Sequence, residues 1–144
     1  MNKHSGKTNK TNRKVRPAFG TFIPASELGV KKERFPLVYI CSAYSWSEDG
    51  DVYNTCNYCR FALDRFCYPV APQLHYPWFL RDENPMEREL AFLCGLRLME
   101  CCDEVWIFGD KLTPDMRREV EYAAMLDKRI RYFNKDYEEE EIDE

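Results

Sequence analysis

The chain has 144 residues, 44% of them hydrophobic and 15% aromatic, with a formal net charge of -4. That length supports one domain with a sizeable core, and the mild charge gives no reason to expect specific nucleic-acid binding. No apolar run is long enough to cross a bilayer and the N-terminus lacks the apolar stretch of a secretory signal, so a cytoplasmic protein whose seven cysteines stay reduced is expected.

Taken in order, residues 1–34 are polar and basic, with Lys and Arg at nine positions against Glu27 and Glu33 alone. They read as a solvated arm, with a phosphate-binding tail as the rival reading. Pro36 to Cys41 is an unbroken β-rich run, as expected of a strand buried on both faces. Ser42-Ala43-Tyr44-Ser45 follows, a turn whose hydroxyls and backbone N–H groups suit sugar or phosphate oxygens. A helix is predicted from about Val52 to Phe66, with Tyr58, Ala62, Leu63 and Phe66 inward. Tyr68 to Pro72 reads as a very short strand bounded by prolines. The loop from Gln73 to Arg81 is rich in aromatics, and His75, amid Gln73, Tyr76, Trp78 and Phe79, is suited either to a flat heterocycle or to an aromatic satellite core covering the sheet edge.

Asn84-Pro85-Met86-Glu87 is a helix start, with an N-cap, proline at the first position and glutamate at the third. The helix should run to about Met99 with Leu90, Leu93, Cys94 and Leu98 facing the core. Glu104 to Phe108 is the third strand. Thr113 then caps a helix that opens with Pro114, carries Asp115 in its first turn and ends near Leu126. Ile130 to Phe133 makes the fourth strand, and the acidic residues 135–144 read as a disordered tail.

Strands alternating with helices imply a three-layer α/β domain over residues 35–134, flavodoxin-like or Rossmann-like, with a parallel sheet of four or five strands and right-handed crossovers. The C-terminal ends of parallel strands share one rim, so Ser42, Gln73, Asp110 and the helix start at Thr113 should gather there. Open α/β sheets bind their ligands at that rim. Glu119 lies a turn and a half into the helix that begins there; a helix glutamate is by default a solvated residue, and this position is what singles it out. There is no GxGxxG and no Walker lysine, so a dinucleotide or P-loop site is not supported. Cys56 and Cys59 lack a second ligand pair on a turn, with only His4 and His75 to supplement them. Most of the seven cysteines read as small buried hydrophobes, and neither a metal nor a cofactor is expected.

Val38-Tyr39-Ile40-Cys41-Ser42, the prolines of Pro69-Val70-Ala71-Pro72, Cys102-Asp103-Glu104-Val105-Trp106, and Thr113-x-x-Met116-x-x-Glu119 with Ala123 together resemble the nucleoside 2-deoxyribosyltransferase-like superfamily. The nearest resemblance is to its bacterial and phage branch called the DUF4406 group, and it spans about residues 36–133. It implies a nucleoside or nucleotide substrate and cleavage or transfer at the N-glycosidic bond, with Glu119 as nucleophile and Tyr39 as the residue that orients it. It also implies substrate contacts from Thr113 and Ser42, and assembly into homo-oligomers in which Asn134 or Tyr137 completes a neighbour's site. The pattern is broken at Gly95, where the enzymes carry an aspartate that assists the departing base; Glu89 is the candidate replacement. Asp115 stands where the branch has glycine, and its charge discourages a phosphate nearby. The alternative is a non-catalytic nucleotide-sensing module on the same rim; on either reading Ser42, Tyr44, Gln73, His75, Asp110, Thr113 and Met116 are the candidate substrate contacts.

Overall fold

The computed structural model describes residues 35–45 and 49–141, so the basic arm lies outside the described residues. Four parallel strands, β1 (Leu37–Cys41), β2 (Tyr68–Val70), β3 (Glu104–Phe108) and β4 (Arg129–Phe133), and an antiparallel β5 (Glu139–Glu140) form one sheet in the order β2-β1-β3-β4-β5. Helices α1 (Asp49–Asp64), α2 (Pro85–Glu100) and α3 (Pro114–Met125) connect the parallel strands. The flavodoxin-like α/β arrangement expected from the alternation is the one observed.

The chain steps from β1 outward to β2, then returns past β1 to β3. With right-handed crossovers this reversal puts α1 on one face and α2 on the other. The two cores record it. Val38 and Ile40 alternate onto a face with Ala62, Trp106, Phe108 and Phe133, whereas Tyr39 and Cys41 point to a second face with Met99, Val105, Ile107, Met116 and Ala123. Being covered on both sides is why β1 and β3 carry no polar alternation. The first core is largely aromatic: Tyr58 stacks on Phe108 with centroids 4.3 Å apart, and Phe61 meets Phe133 edge-on at 5.1 Å.

The two helix starts form as their sequences dictate. Asn84 Oδ1 accepts from the N–H groups of Met86 (3.0 Å) and Glu87 (3.3 Å), and Thr113 Oγ1 accepts from Met116 (3.2 Å). Each satisfies donors that have no carbonyl partner within the helix.

Three expectations fail, each for a physical reason. On α2 the buried residues are Ala91, Gly95 and Met99, while Leu90, Leu93, Cys94 and Leu98 turn outward. Where the helix crosses the large Tyr39 side chain it needs a small residue, and Gly95 stands there. On α1, Ala62 is buried and Tyr58 packs on the core, but Leu63 is exposed and so is Phe66, which has a φ of 57° just past the helix end. The acidic tail is structured through Glu141. Arg131 grips Glu139 through two nitrogens (2.8 and 2.7 Å), and Tyr137 packs against Tyr58 and Phe61.

Candidate functional site

A cleft of about 400 Å³ opens at the C-terminal end of β1, where the strand order reverses, between the segment after β2, helix α2 and the first turns of α3. Such a reversal is where open α/β sheets place their ligands, because the chain diverges to opposite faces and leaves a crevice. Tyr39 and Ser42 line the cleft from β1, Gln73 and Tyr76 from beyond β2, Gly95 from α2, and Thr113, Met116 and Glu119 from α3.

Glu119 is the chemical centre. Its carboxyl group is desolvated, which pushes its pKa from 4.5 up to about 7, and the charge of Asp115 adds to that rise. The neighbouring Cys41 thiol and Tyr39 hydroxyl work in the opposite direction, because both favour the ionised form. Burial raises the pKa of Tyr39 and of Cys41 well above their ordinary values, so both keep their protons and remain donors. A half-buried carboxylate beside two neutral donors is a poised nucleophile, ionised in about half the molecules near neutrality.

Gly95 explains why Tyr39 can stand there. A Cβ on Gly95 would lie 3.1 Å from the Tyr39 hydroxyl oxygen. The position that breaks the resemblance is therefore occupied sterically by the phenol itself. Glu89, the proposed replacement acid, does not replace it: Arg118 holds both its oxygens (2.7 and 3.2 Å) and lowers its pKa, and it lies off the cleft lining. Gly95→Ala is expected to leave stability within about 1 kcal/mol, since the helical preference for alanine offsets the crowding. The phenol would be forced off the carboxylate, so the Glu119 pKa should rise above its present value. Carboxyl titration by NMR checks this, and an unmoved midpoint counts against the contact.

The remaining candidates divide by position. Ser42 is buried; its Oγ lies 3.3 Å from Thr55 Oγ1 and accepts from Gln73 Nε2 at 3.4 Å, while the same nitrogen donates to the Ile40 carbonyl at 3.1 Å. This network ties the β1 turn to α1 and to the loop after β2. Tyr44, Thr113 and Met116 line the cleft, Thr113 with its oxygen already capping α3. His75 is exposed and outside the lining. Asp110 lies in a second hollow of about 270 Å³, between Ala43, Tyr58 and Lys111. Asn134 and Tyr137, candidates for completing a neighbour's site, serve their own chain: the Asn134 side-chain oxygen accepts from the backbone of Asp136 and Glu138. No group of three or more His, Cys, Asp or Glu suited to a metal ion occurs among the described residues, and all seven cysteines are free thiols.

Cys41 and Tyr76 were not singled out in the sequence. Strand alternation signals the first, since residue 41 must face the same way as residue 39. No sequence signal separates Tyr76 from its aromatic neighbours. Its hydroxyl is buried and has no hydrogen-bond partner among the described residues, at a cost of about 1–3 kcal/mol.

Comparison with known proteins adds a family and a fold. The family model of a domain of unknown function, DUF7768, matches residues 36–133. It is this family, and not the DUF4406 group, that matches. Among solved structures, the 2-deoxyribosyltransferase from the psychrotolerant bacterium Bacillus psychrosaccharolyticus superposes with a TM-score of 0.57 at 14% sequence identity, over 68% of this chain and 72% of that one. No curated protein matches. At that identity the likeness is one of fold.

Proposed function

The chain belongs to the DUF7768 domain family, and on that premise we propose that it cleaves or transfers at the N-glycosidic bond of a nucleoside-class substrate. One observation carries the reading: a desolvated carboxyl, Glu119, sits at the sheet's reversal point with the Tyr39 and Cys41 donors against it. The structural neighbour is a 2-deoxyribosyltransferase, which supports the same chemistry on the same fold. Glu119 bonds to the anomeric carbon as the bond to the base nitrogen breaks, and its electron pair leaves with the base. Water or a second base then releases the sugar, as in retaining glycosidases. Tyr39 and Cys41 orient the carboxylate for attack.

A second reading is a module that binds nucleosides without turning them over. The glycine at position 95 and the Arg118-held Glu89 favour it, since neither offers a proton to a departing base. Incubating the purified protein with a panel of nucleosides and nucleotides, and following free base by chromatography, decides between the two. Base release that depends on Glu119 supports catalysis. A raised melting temperature without consumption supports binding alone.

A further inference from the structure

We propose that the substrate of this cleft is an N-glycoside whose base is already a cation, a pyridinium or an N-alkylated purine, which departs as a neutral molecule and needs no proton from the protein. The inference rests on the glycosidic reading of Glu119 and names the substrate class that reading would take. Two observations carry it. Among the described residues the cleft offers no group able to protonate a leaving base, and its lining is acidic.

The first follows from the donors present. Gly95 has no side chain, and the Tyr39 hydroxyl oxygen stands 3.1 Å from where its Cβ would be. Burial raises the pKa of the phenols of Tyr39, Tyr44 and Tyr76, the last to about 12, so none surrenders a proton readily near neutrality. The alcohols of Ser42 and Thr113 are weaker acids still. Asp82 and Asp115 line the cleft as members of ion pairs, with Arg88 at 3.2 Å and Arg118 at 3.6 Å, and a paired carboxylate has no proton to give. Glu119 cannot serve as acid while it bonds as nucleophile. Without an acid a neutral base departs about 10²–10⁴-fold more slowly, whereas a cationic one loses nothing.

The second follows from charge. Glu119, Asp82 and Asp115 line the cleft against one guanidinium, that of Arg88. Arg118, beside Asp115, is gripped through both terminal nitrogens by Glu89 (2.7 and 3.2 Å). A concave surface with surplus negative charge draws cations in. The chemistry closes without a protein acid. A Glu119 oxygen bonds to the anomeric carbon as the carbon–nitrogen bond breaks, and the electron pair of that bond cancels the charge on the ring. Water then attacks the same carbon, the pair shared with Glu119 returns to the carboxylate, and the water's proton passes to solvent.

Free base is followed by chromatography for nicotinamide riboside and 7-methylguanosine beside the neutral dihydronicotinamide riboside and guanosine, each as riboside and 2-deoxyriboside. Release from the cations should depend on Glu119 and exceed that from the neutral members by about 10²-fold or more. Charged glycosides also break more readily in water, so binding is measured separately, by calorimetry on Glu119→Gln. Nicotinamide riboside should bind about three- to tenfold more tightly than its dihydro form, with the difference shrinking in Asp115→Asn and at high salt. Equal binding of the two forms overturns the proposal. Glu119-dependent release confined to neutral nucleosides also overturns it, and leaves the glycosidic reading standing. Preferential binding of the cation with no release by the wild type removes the glycosidic reading and leaves the charge selection standing.

Discussion

Glu119→Gln is expected to lower the turnover of any nucleoside the wild type cleaves by on the order of 10⁴-fold or more, while ligand affinity changes only a few-fold. The amide has nearly the volume of the carboxyl, and its oxygen still accepts from Tyr39 and Cys41, so the packing around Met116 and Ala123 is kept. What disappears is the ability to form and release a bond to the anomeric carbon. Tyr39→Phe should cost less, about 10²-fold, because it loosens the nucleophile without removing it. Single-turnover measurements of free base on the three proteins give the comparison. Equal rates for wild type and Glu119→Gln would remove the nucleophile assignment.

The same substitution should change how stability depends on pH. The folded-state pKa of Glu119 is raised from 4.5 to about 7, chiefly by desolvation. Between those values the folded chain holds a proton that the unfolded chain has released, so unfolding free energy falls as pH rises. The favourable contribution is complete below pH 4.5 and is lost by the time the pH has passed about 7. Its size is roughly 3 kcal/mol. Glutamine has no proton to release, so the wild type should lose that much relative to Glu119→Gln between pH 4 and 8. Urea unfolding of both proteins across this range is the measurement. Parallel curves would mean that the carboxyl is hydrated.

Much of this arrangement is legible in the residue order. Central strands buried on both faces announce themselves as Leu37–Cys41 and Glu104–Phe108, and Asn84-Pro85 and Thr113-Pro114 mark two helix starts by their own chemistry. From these the rim follows, and with it the place of Glu119. The core-facing side of α2 does not follow, because two apolar stripes satisfy the helical period. The choice of Ala91 and Gly95 over Leu90 and Cys94 is made by the phenol on β1, a contact between residues distant in sequence. The tail misleads for a similar reason: its glutamates suggest a solvated chain, while Arg131 and the ring of Tyr137 supply anchors that composition does not weigh. Tyr76 is hidden most completely, since an unmet hydroxyl is a property of its surroundings.

The short fifth strand has a bearing on how the molecule behaves at high concentration. Sheets grow by adding strands at unprotected margins, and that is how many proteins polymerise. Here one margin ends in β5, two exposed glutamates long, and the other in the three residues of β2, where Pro69 has no N–H to offer a newcomer. Among the described residues neither side presents a template for lateral growth, so this sheet resists edge-wise fibre formation.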